Sequence, residues 1–234
     1  MAVNKGLNAK AFEDMITARG VPVKWERAQR CTCWDDLSGQ PGYSCKACFG
    51  FGYVYDAPIE ESAILIQSLI MSKDFTYIGE YRMGDAIATI PYRKRVMIDG
   101  LPAYVENQLY WIGDWDKITL MNTEFRSDEV LVRGERVFGR EPDTLRNPDV
   151  TKIVSVVKTD PITGKITVYE PETDFILEGS QLQWIANSPI EGEKYSVQYY
   201  HRPVYVVYTQ LPQHRDQDGQ HFPKKVVLRY KDVV

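Results

Sequence analysis

The chain has 234 residues, which is enough for one large domain or two small ones. Its 28 basic and 32 acidic residues give a formal net charge of −4, whereas a dedicated duplex-DNA or membrane-surface binder would carry a basic excess. Apolar residues make up 44% and charged residues 26% of the chain, as in soluble globular proteins, so the composition argues against disorder of the whole chain.

The N-terminus and the hydropathy pattern predict neither a secretory signal nor a membrane span. No apolar run follows the first residues, and the longest apolar stretch, at 63–71, is broken by two polar residues. A membrane helix needs about 20 apolar residues. We therefore expect no association with a membrane and a chain that stays in a reducing cytoplasm.

The first predicted element is a helix over residues 8–19. Phe12, Met15 and Ile16 recur at helical spacing, and Gly20 can end the helix. Because only this one face is apolar, we expect the helix to dock on another surface rather than to form a core by itself.

The four cysteines of the chain follow in one cluster. Cys31 and Cys33 form a C-x-C pair, eleven residues intervene, and Cys45 and Cys48 form a C-x-x-C pair. A short spacing lets a tight turn aim both sulfurs at one ion, and the loop rich in Gly and Pro between the pairs can bring them together. A disulfide framework of a secreted protein would instead spread its cysteines along the chain.

Four thiolates predict a closed, tetrahedral, structural zinc site with no open position for catalysis. Trp34 and Phe49 are expected to pack around it. Disulfides or free thiols are one alternative, although a bridge between Cys31 and Cys33 would close a strained loop. An iron–sulfur or redox site is the other.

The rest of the chain predicts β structure. Apolar side chains alternate from Val21 to Trp25, and the run at 60–71 is assigned as a buried strand, although its period also fits a helix. Beyond residue 75, runs rich in β-branched and aromatic residues are separated by Asp, Gly and Pro turn signals. These runs predict strands at 86–90, 95–98, 108–112, 118–121, 130–132, 153–157, 165–169, 181–185, 194–200 and 204–208.

The predicted fold is mainly β, a barrel or sandwich in one or two portions, with an N-terminal helix and a small zinc knuckle. Charged segments rich in Gly and Pro predict a long loop or linker at 133–150 and an extended arm or loop at 213–225. The predicted parts are a docking helix and linker (1–24), a four-cysteine zinc knuckle (25–57), a first β portion (58–140) and a second β portion with a C-terminal arm (141–234).

Enzymatic motifs are missing from the sequence. It has no phosphate-binding loop, no dinucleotide-binding glycine motif and no serine-hydrolase elbow. The histidines, His201, His214 and His221, lie near the C-terminus and are interpreted as surface residues, with an enzyme site built on them as an alternative. Asp114 and Asp116 fit turn chemistry better than acid–base catalysis.

Two small basic patches, at 92–95 and around 223–231, could contact phosphates. Given the overall negative charge, a solvated face or the rim of a protein–protein interface explains them better.

Two segments carry a resemblance to known proteins. Cys45–Gly52 resembles the C-x-x-C-x-G-x-G repeat of DnaJ-type chaperones, but the chain has one repeat and no J domain, so we interpret it as a shared zinc-knuckle solution. The N-terminal helix with 31–52 is similar to a cysteine knuckle near the start of neck or head–tail connector proteins of tailed bacteriophages. Residues 197–207, Leu211-Pro212 and the basic C-terminal strand resemble the closing strands of the same proteins.

The resemblance implies a non-enzymatic virion component of the head-completion type, assembled in the bacterial cytoplasm. It implies a sixfold or twelvefold ring around the DNA channel, between a portal or adaptor and tail-terminator or tail proteins, with genomic DNA passing through without specific binding. The helix at 8–19 and the loops at 133–150 and 213–225 are the expected contacts with neighbours. A tail or baseplate protein and a zinc-knuckle nucleic-acid-binding module are the alternatives.

Overall fold

The computed structural model describes residues 9–68, 84–136, 140–211, 216–217 and 220–231. The described part is mainly β, as predicted, with one α-helix, α1 (Ala9–Arg19). The strands are β1 (Val21–Glu26), β2 (Ala28–Arg30), β3 (Trp34–Asp35), β4 (Gln40–Pro41), β5 (Tyr53–Tyr55), β6 (Ile59–Ser68), β7 (Ala86–Ile90), β8 (Arg93–Ile98), β9 (Leu101–Glu106), β10 (Lys117–Leu120), β11 (Phe125–Val132), β12 (Val150–Thr159), β13 (Ile166–Tyr169), β14 (Phe175–Glu178), β15 (Gln181–Trp184), β16 (Lys194–His201), β17 (Val204–Gln210), β18 (Asp216–Gln217), β19 (Gln220–His221) and β20 (Lys224–Tyr230).

The chain divides into two compact units, each built from non-consecutive segments. A barrel unit comprises Met1–Thr32, Tyr53–Asn122 and Val204–Val234, and a sheet unit comprises Cys33–Gly52 and Thr123–Pro203. The sequence predicted four consecutive parts, at 1–24, 25–57, 58–140 and 141–234. That division of the chain stays a prediction.

The barrel unit contains a closed antiparallel barrel in the order β1-β10-β17-β20-β7-β6. Residues of the barrel core alternate along its strands, as Ala86, Ala88 and Ile90 do in β7, and cross-strand partners such as Trp25 and Ile118 both lie in the core. Closure pairs each of these six strands on both sides. The run at 60–71 is a strand as predicted over its described part, β6, and residues 69–71 lie outside the described residues.

One predicted strand is wrong, because residues 108–112 do not form a strand. Gln108–Trp111 is a 3₁₀ helix whose N-cap, Asn107, accepts a hydrogen bond from the Leu109 amide at 3.2 Å and donates one to the Pro91 carbonyl at 3.0 Å. Leu109 and Ile112 are both buried in the barrel core. They are three residues apart, and a 3₁₀ helix with three residues per turn places such residues on the same side.

Helix α1 confirms the predicted N-terminal helix, but a different face is buried. Ile16 and Glu13 are fully buried, whereas Phe12 and Met15 are exposed. The Glu13 carboxylate accepts hydrogen bonds from the Arg93 backbone amide and the Arg93 guanidinium, both at 3.2 Å. The helix therefore docks on its own unit through an ion pair between the buried Glu13 and the partly exposed Arg93 of β8, as well as through an apolar side chain.

Gly20, directly after α1, allows the helix to lie close to β6. A Cβ at this position would come within 2.5 Å of both the Ala63 side chain and the Ile16 carbonyl oxygen. We expect Gly20→Ala to lower the free energy of unfolding by about 1–3 kcal/mol through overpacking. Gly113→Ala is the matched control, because its Cβ would come no closer than 3.7 Å to any atom beyond its chain neighbours. Equal urea midpoints for the two variants would contradict this account.

The sheet unit contains a four-stranded antiparallel sheet in the order β11-β16-β12-β13 and the hairpin β14–β15. Over its described residues before β12 (133–136 and 140–149), the segment at 133–150 is a loop, as one of the two predictions had it, but it connects two strands of this one sheet and is not a linker between β portions. Its described part packs on the core, because Asp143 and Leu145 are buried.

Asp143 holds this loop in place. Its carboxylate accepts hydrogen bonds from the Tyr195 hydroxyl at 2.7 Å and the Arg133 guanidinium at 2.5 Å. Burial, together with the bond to Asp143, raises the pKa of Tyr195 far above its ordinary range, so the tyrosine stays protonated and keeps donating.

The segment at 213–225 falls only partly within the described residues. Residues 213–215 and 218–219 lie outside them, and the short strands β18 and β19 form a hairpin. Lys224 and Lys225 belong to the barrel strand β20 and not to an extended arm. In the part of the chain that the structure describes, no helix combines the length and the apolar character needed to cross a membrane.

Candidate metal centre

The cysteine segment, residues 31–52, is flanked in the chain by two strands of the barrel unit, β2 before it and β5 after it. These two strands pair in antiparallel register, with Arg30 opposite Tyr53 and Ala28 opposite Tyr55. The pairing brings the two ends of the segment together, so that the segment forms one loop closed at its base by two paired strands. Burial raises the pKa of Tyr55 to about 12, with a further contribution from Glu26.

Short hydrogen-bonded turns fold the segment around its cysteines. The Gly42 amide donates to the Cys33 carbonyl and the Cys45 amide donates to the Gly42 carbonyl, both at 3.1 Å. Beyond them, the amides of Phe49 and Phe51 donate to the carbonyls of Cys45 and Cys48, both at 2.9 Å. The second cysteine pair therefore lies in a tight local turn, as its spacing predicted, and Gly42 of the intervening loop holds Cys33 near it.

The turns bring all four cysteines together. The sulfur atoms of Cys31, Cys33, Cys45 and Cys48 lie within 4.8 Å of one another, and those of Cys33 and Cys48 are 3.4 Å apart. Among the described residues the four cysteines form no disulfide, and Cys31 and Cys48 are buried. Sulfurs bound to one tetrahedral ion at about 2.3 Å lie about 3.8 Å apart, so this cluster could bind a metal ion with small adjustments.

Glycines make room around the second cysteine pair. Gly50 and Gly52 have φ values of +82° and +79°, in the left-handed region that favours glycine. A Cβ on Gly52 would approach the Trp34 ring to 2.8 Å, so Trp34 packs directly against the turn after Cys48. Phe49 is half exposed, which leaves much of its ring outside the cluster.

An aspartate orders the loop between the cysteine pairs. The Asp35 carboxylate accepts hydrogen bonds from the Leu37 amide and the Ser38 hydroxyl, both at 2.9 Å. These bonds hold the pKa of Asp35 below its ordinary value, and the bond from the Leu37 amide has the largest effect. The loop therefore carries a fixed negative charge in a turn of defined geometry.

Asp116 supports the cysteine segment in a way that sequence reasoning missed. Its carboxylate is buried and accepts hydrogen bonds from the Ala28 amide at 2.7 Å, the Trp25 indole at 2.8 Å and the Gly113 amide at 2.8 Å. Turn chemistry explains this residue, as expected, while Asp114 is exposed. No local pattern could show that Asp116 also fixes the start of β2, 88 positions away.

The two described histidines of the alternative enzyme hypothesis each contact residues of their own unit. The surface interpretation is wrong for His201, in the sheet unit, which is buried and whose ring nitrogens contact the Ser127 hydroxyl at 2.9 Å and the Arg202 carbonyl at 3.1 Å. His221 packs edge-on against Tyr92 in the barrel unit. His214 lies outside the described residues.

Several side chains of the two basic patches have partners within the barrel unit. Arg93 binds Glu13, and Arg229 binds Asp85 and covers the Tyr208 ring at 3.6 Å. Lys224 donates to the Ile112 carbonyl at 3.0 Å, and burial lowers its pKa. For these three residues, partners within the barrel unit take the place of the solvated face or interface rim that the sequence favoured.

Comparisons with protein-family models and with curated proteins give no match for this chain. The four-cysteine cluster is therefore the feature on which a functional proposal can be built.

Proposed function

We propose that this chain is a structural, non-enzymatic protein of the neck of a tailed bacteriophage. In this proposal its copies form a ring around the DNA channel, between a portal or adaptor and tail-terminator or tail proteins. The protein belongs to the virion and is assembled in the cytoplasm of the host bacterium.

Two segments support the proposal, the same two that carry the resemblance. The first is the helix with the cysteine segment, whose four thiols lie within reach of one ion. The second is the C-terminal pattern at 197–207, which runs along β16 and β17 and is followed by the basic strand β20. The formal net charge of −4 suits a channel wall that DNA passes without being held.

The cluster is the observation that carries the proposal, and we assign its ion as structural Zn²⁺. Cys31, Cys33, Cys45 and Cys48 form an all-thiolate set, which is a closed ligand set for zinc and leaves no position for a substrate. Zinc would hold in shape a segment too short to form a core of its own. Elemental analysis should give about one zinc per chain. Iron in that analysis would contradict zinc, and no bound metal would contradict the site.

The proposed function predicts a ring of copies. Native mass measurement and negative-stain imaging of purified protein over a range of concentrations should show closed rings, of six or twelve copies, with a central opening. In particles, an antibody against this chain should label the junction of head and tail. Label at the far end of the tail would favour a tail or baseplate protein, and a chain that is always monomeric and never joins particles would contradict the proposal.

A further inference from the structure

Large apolar side chains are exposed on the cysteine segment. Leu37 is 99% exposed and Tyr43 is 93% exposed, and both phenylalanines that follow Cys48, Phe49 and Phe51, are exposed by half or more. Single exposed apolar residues are ordinary, but four on one short segment are typical of an interaction surface. The segment has ordered turns and a cysteine cluster, so these side chains are presented on a defined scaffold.

The same segment is acidic. Asp35 and Asp36 outnumber Lys46, its one basic residue. A divalent ion held by four thiolates would add a charge of about −2. A surface that fits the cysteine segment is therefore apolar and basic.

The hairpin β8–β9 presents such a surface on this chain. Its turn is made by Asp99 and Gly100, which both have positive φ, as in the two-residue turns that suit twisted hairpins. Next to the turn, Met97, Ile98 and Leu101 are exposed, Leu101 by 71%. A two-stranded hairpin is marginally stable in water by itself, so covering its apolar end would stabilise it.

The hairpin is basic and is anchored at its base. Its three basic residues, at 93–95, exceed its two acidic residues, Asp99 and Glu106, which gives a formal charge of +1. Arg93 binds Glu13 of α1, and the Tyr104 hydroxyl donates to Asp14 of the same helix. The apolar outer end thus projects from an anchored base, and the formal charge of the whole hairpin, set by Lys94 and Arg95 between base and outer end, is opposite in sign to that of the cysteine segment.

We propose that the cysteine segment of one copy docks on the outer end of the β8–β9 hairpin of a second copy. The contact joins two different surfaces, so each bound pair still has one unused segment and one unused hairpin, and repetition closes a ring when the rotation allows. The inference rests on the proposed ring and adds the two surfaces that meet in it.

Removing the apolar contacts tests the proposal. In sedimentation velocity, the double variant Leu37→Ser, Tyr43→Ser should raise the dissociation constant of the assembly by at least about a hundredfold. Ile162→Ser, at a 92% exposed position in the turn between β12 and β13, is the matched control and should leave assembly unchanged. Metal content, measured on each variant, establishes that the cysteine segment is intact.

Charge reversal tests the pairing of the two surfaces. Asp36→Lys and Arg95→Glu should each weaken assembly about tenfold, and the two changes in one chain should restore much of it. A zero-length carbodiimide cross-link between Asp36 and Lys94, found between labelled and unlabelled copies, would place the two surfaces together.

The outcomes separate this inference from the proposed function. Rings that persist in the Leu37→Ser, Tyr43→Ser variant, or that weaken equally with Ile162→Ser, overturn the contact and leave the ring in place. A chain that is monomeric at every concentration and absent from particles overturns the ring itself.

Discussion

Cys45→Ser should release the metal ion and loosen the cysteine segment while the barrel and the four-stranded sheet stay folded. The cluster has four sulfurs within 4.8 Å, so loss of one leaves three ligands and an open position. Structural zinc in small domains supplies about 10–16 kcal/mol of apparent binding free energy, and changes outside the ligand set alone weaken binding by about 10–100-fold. We therefore expect metal affinity to fall by well over about a hundredfold.

Two measurements test this prediction for Cys45→Ser. Elemental analysis after dialysis against a weak chelator should show metal in the unchanged protein and little in the variant. Amide hydrogen exchange should rise across 27–57, beyond the end of β1, and stay low in the barrel strands. Ala47→Ser is the matched control, because it places the same hydroxyl between two ligands at an exposed position and leaves all four thiols. Global unfolding of Cys45→Ser, or equal metal loss in Ala47→Ser, would contradict a local structural site.

Local patterns predicted much of this molecule. Helix α1 has the expected span over the described residues, 9–19 of the predicted 8–19, because helical spacing and the stop at Gly20 are both encoded within about twelve residues. Alternation and turn signals placed most of the predicted strands within about two residues at each end, but β11 and β12 begin three or more residues before the predicted runs, and β9 and β14 were not predicted. The cysteine cluster was also predictable, because its ligands are close in sequence and the intervening turns are short.

Long-range packing decided what local patterns could not show. The composition of 108–112 predicted a strand. Instead, Asn107 caps a 3₁₀ helix, and Leu109 and Ile112 pack in the barrel core. The buried charge of Glu13 on α1 depends on Arg93, eighty positions away. Closure of the barrel by β17 and β20 depends on pairings between distant segments, and the hydrophobic periodicity of the sequence does not show which strands pair.

Asp116→Ala should be the most destabilising substitution that we propose in the barrel unit. It leaves three donors, the Trp25 indole and the amides of Ala28 and Gly113, without their acceptor at a residue that is only 5% exposed. An unsatisfied buried donor costs about 1–3 kcal/mol, and these losses share one site, so we expect about 3–5 kcal/mol of lost stability in urea unfolding followed by tryptophan fluorescence.

The neighbouring carboxylate supplies the control for this prediction. Asp114 lies in the same turn but is exposed, so Asp114→Ala should change stability by no more than about 0.5 kcal/mol. Asp116→Asn should fall between the two, because its amide oxygen can still accept but its NH₂ group faces donors. Since Asp116 holds Ala28 at the start of β2, its variants should also raise hydrogen exchange in β2 and β5, which carry the cysteine segment. Equal loss of stability in the Asp114 and Asp116 variants would show that the buried hydrogen bonds do not anchor that strand.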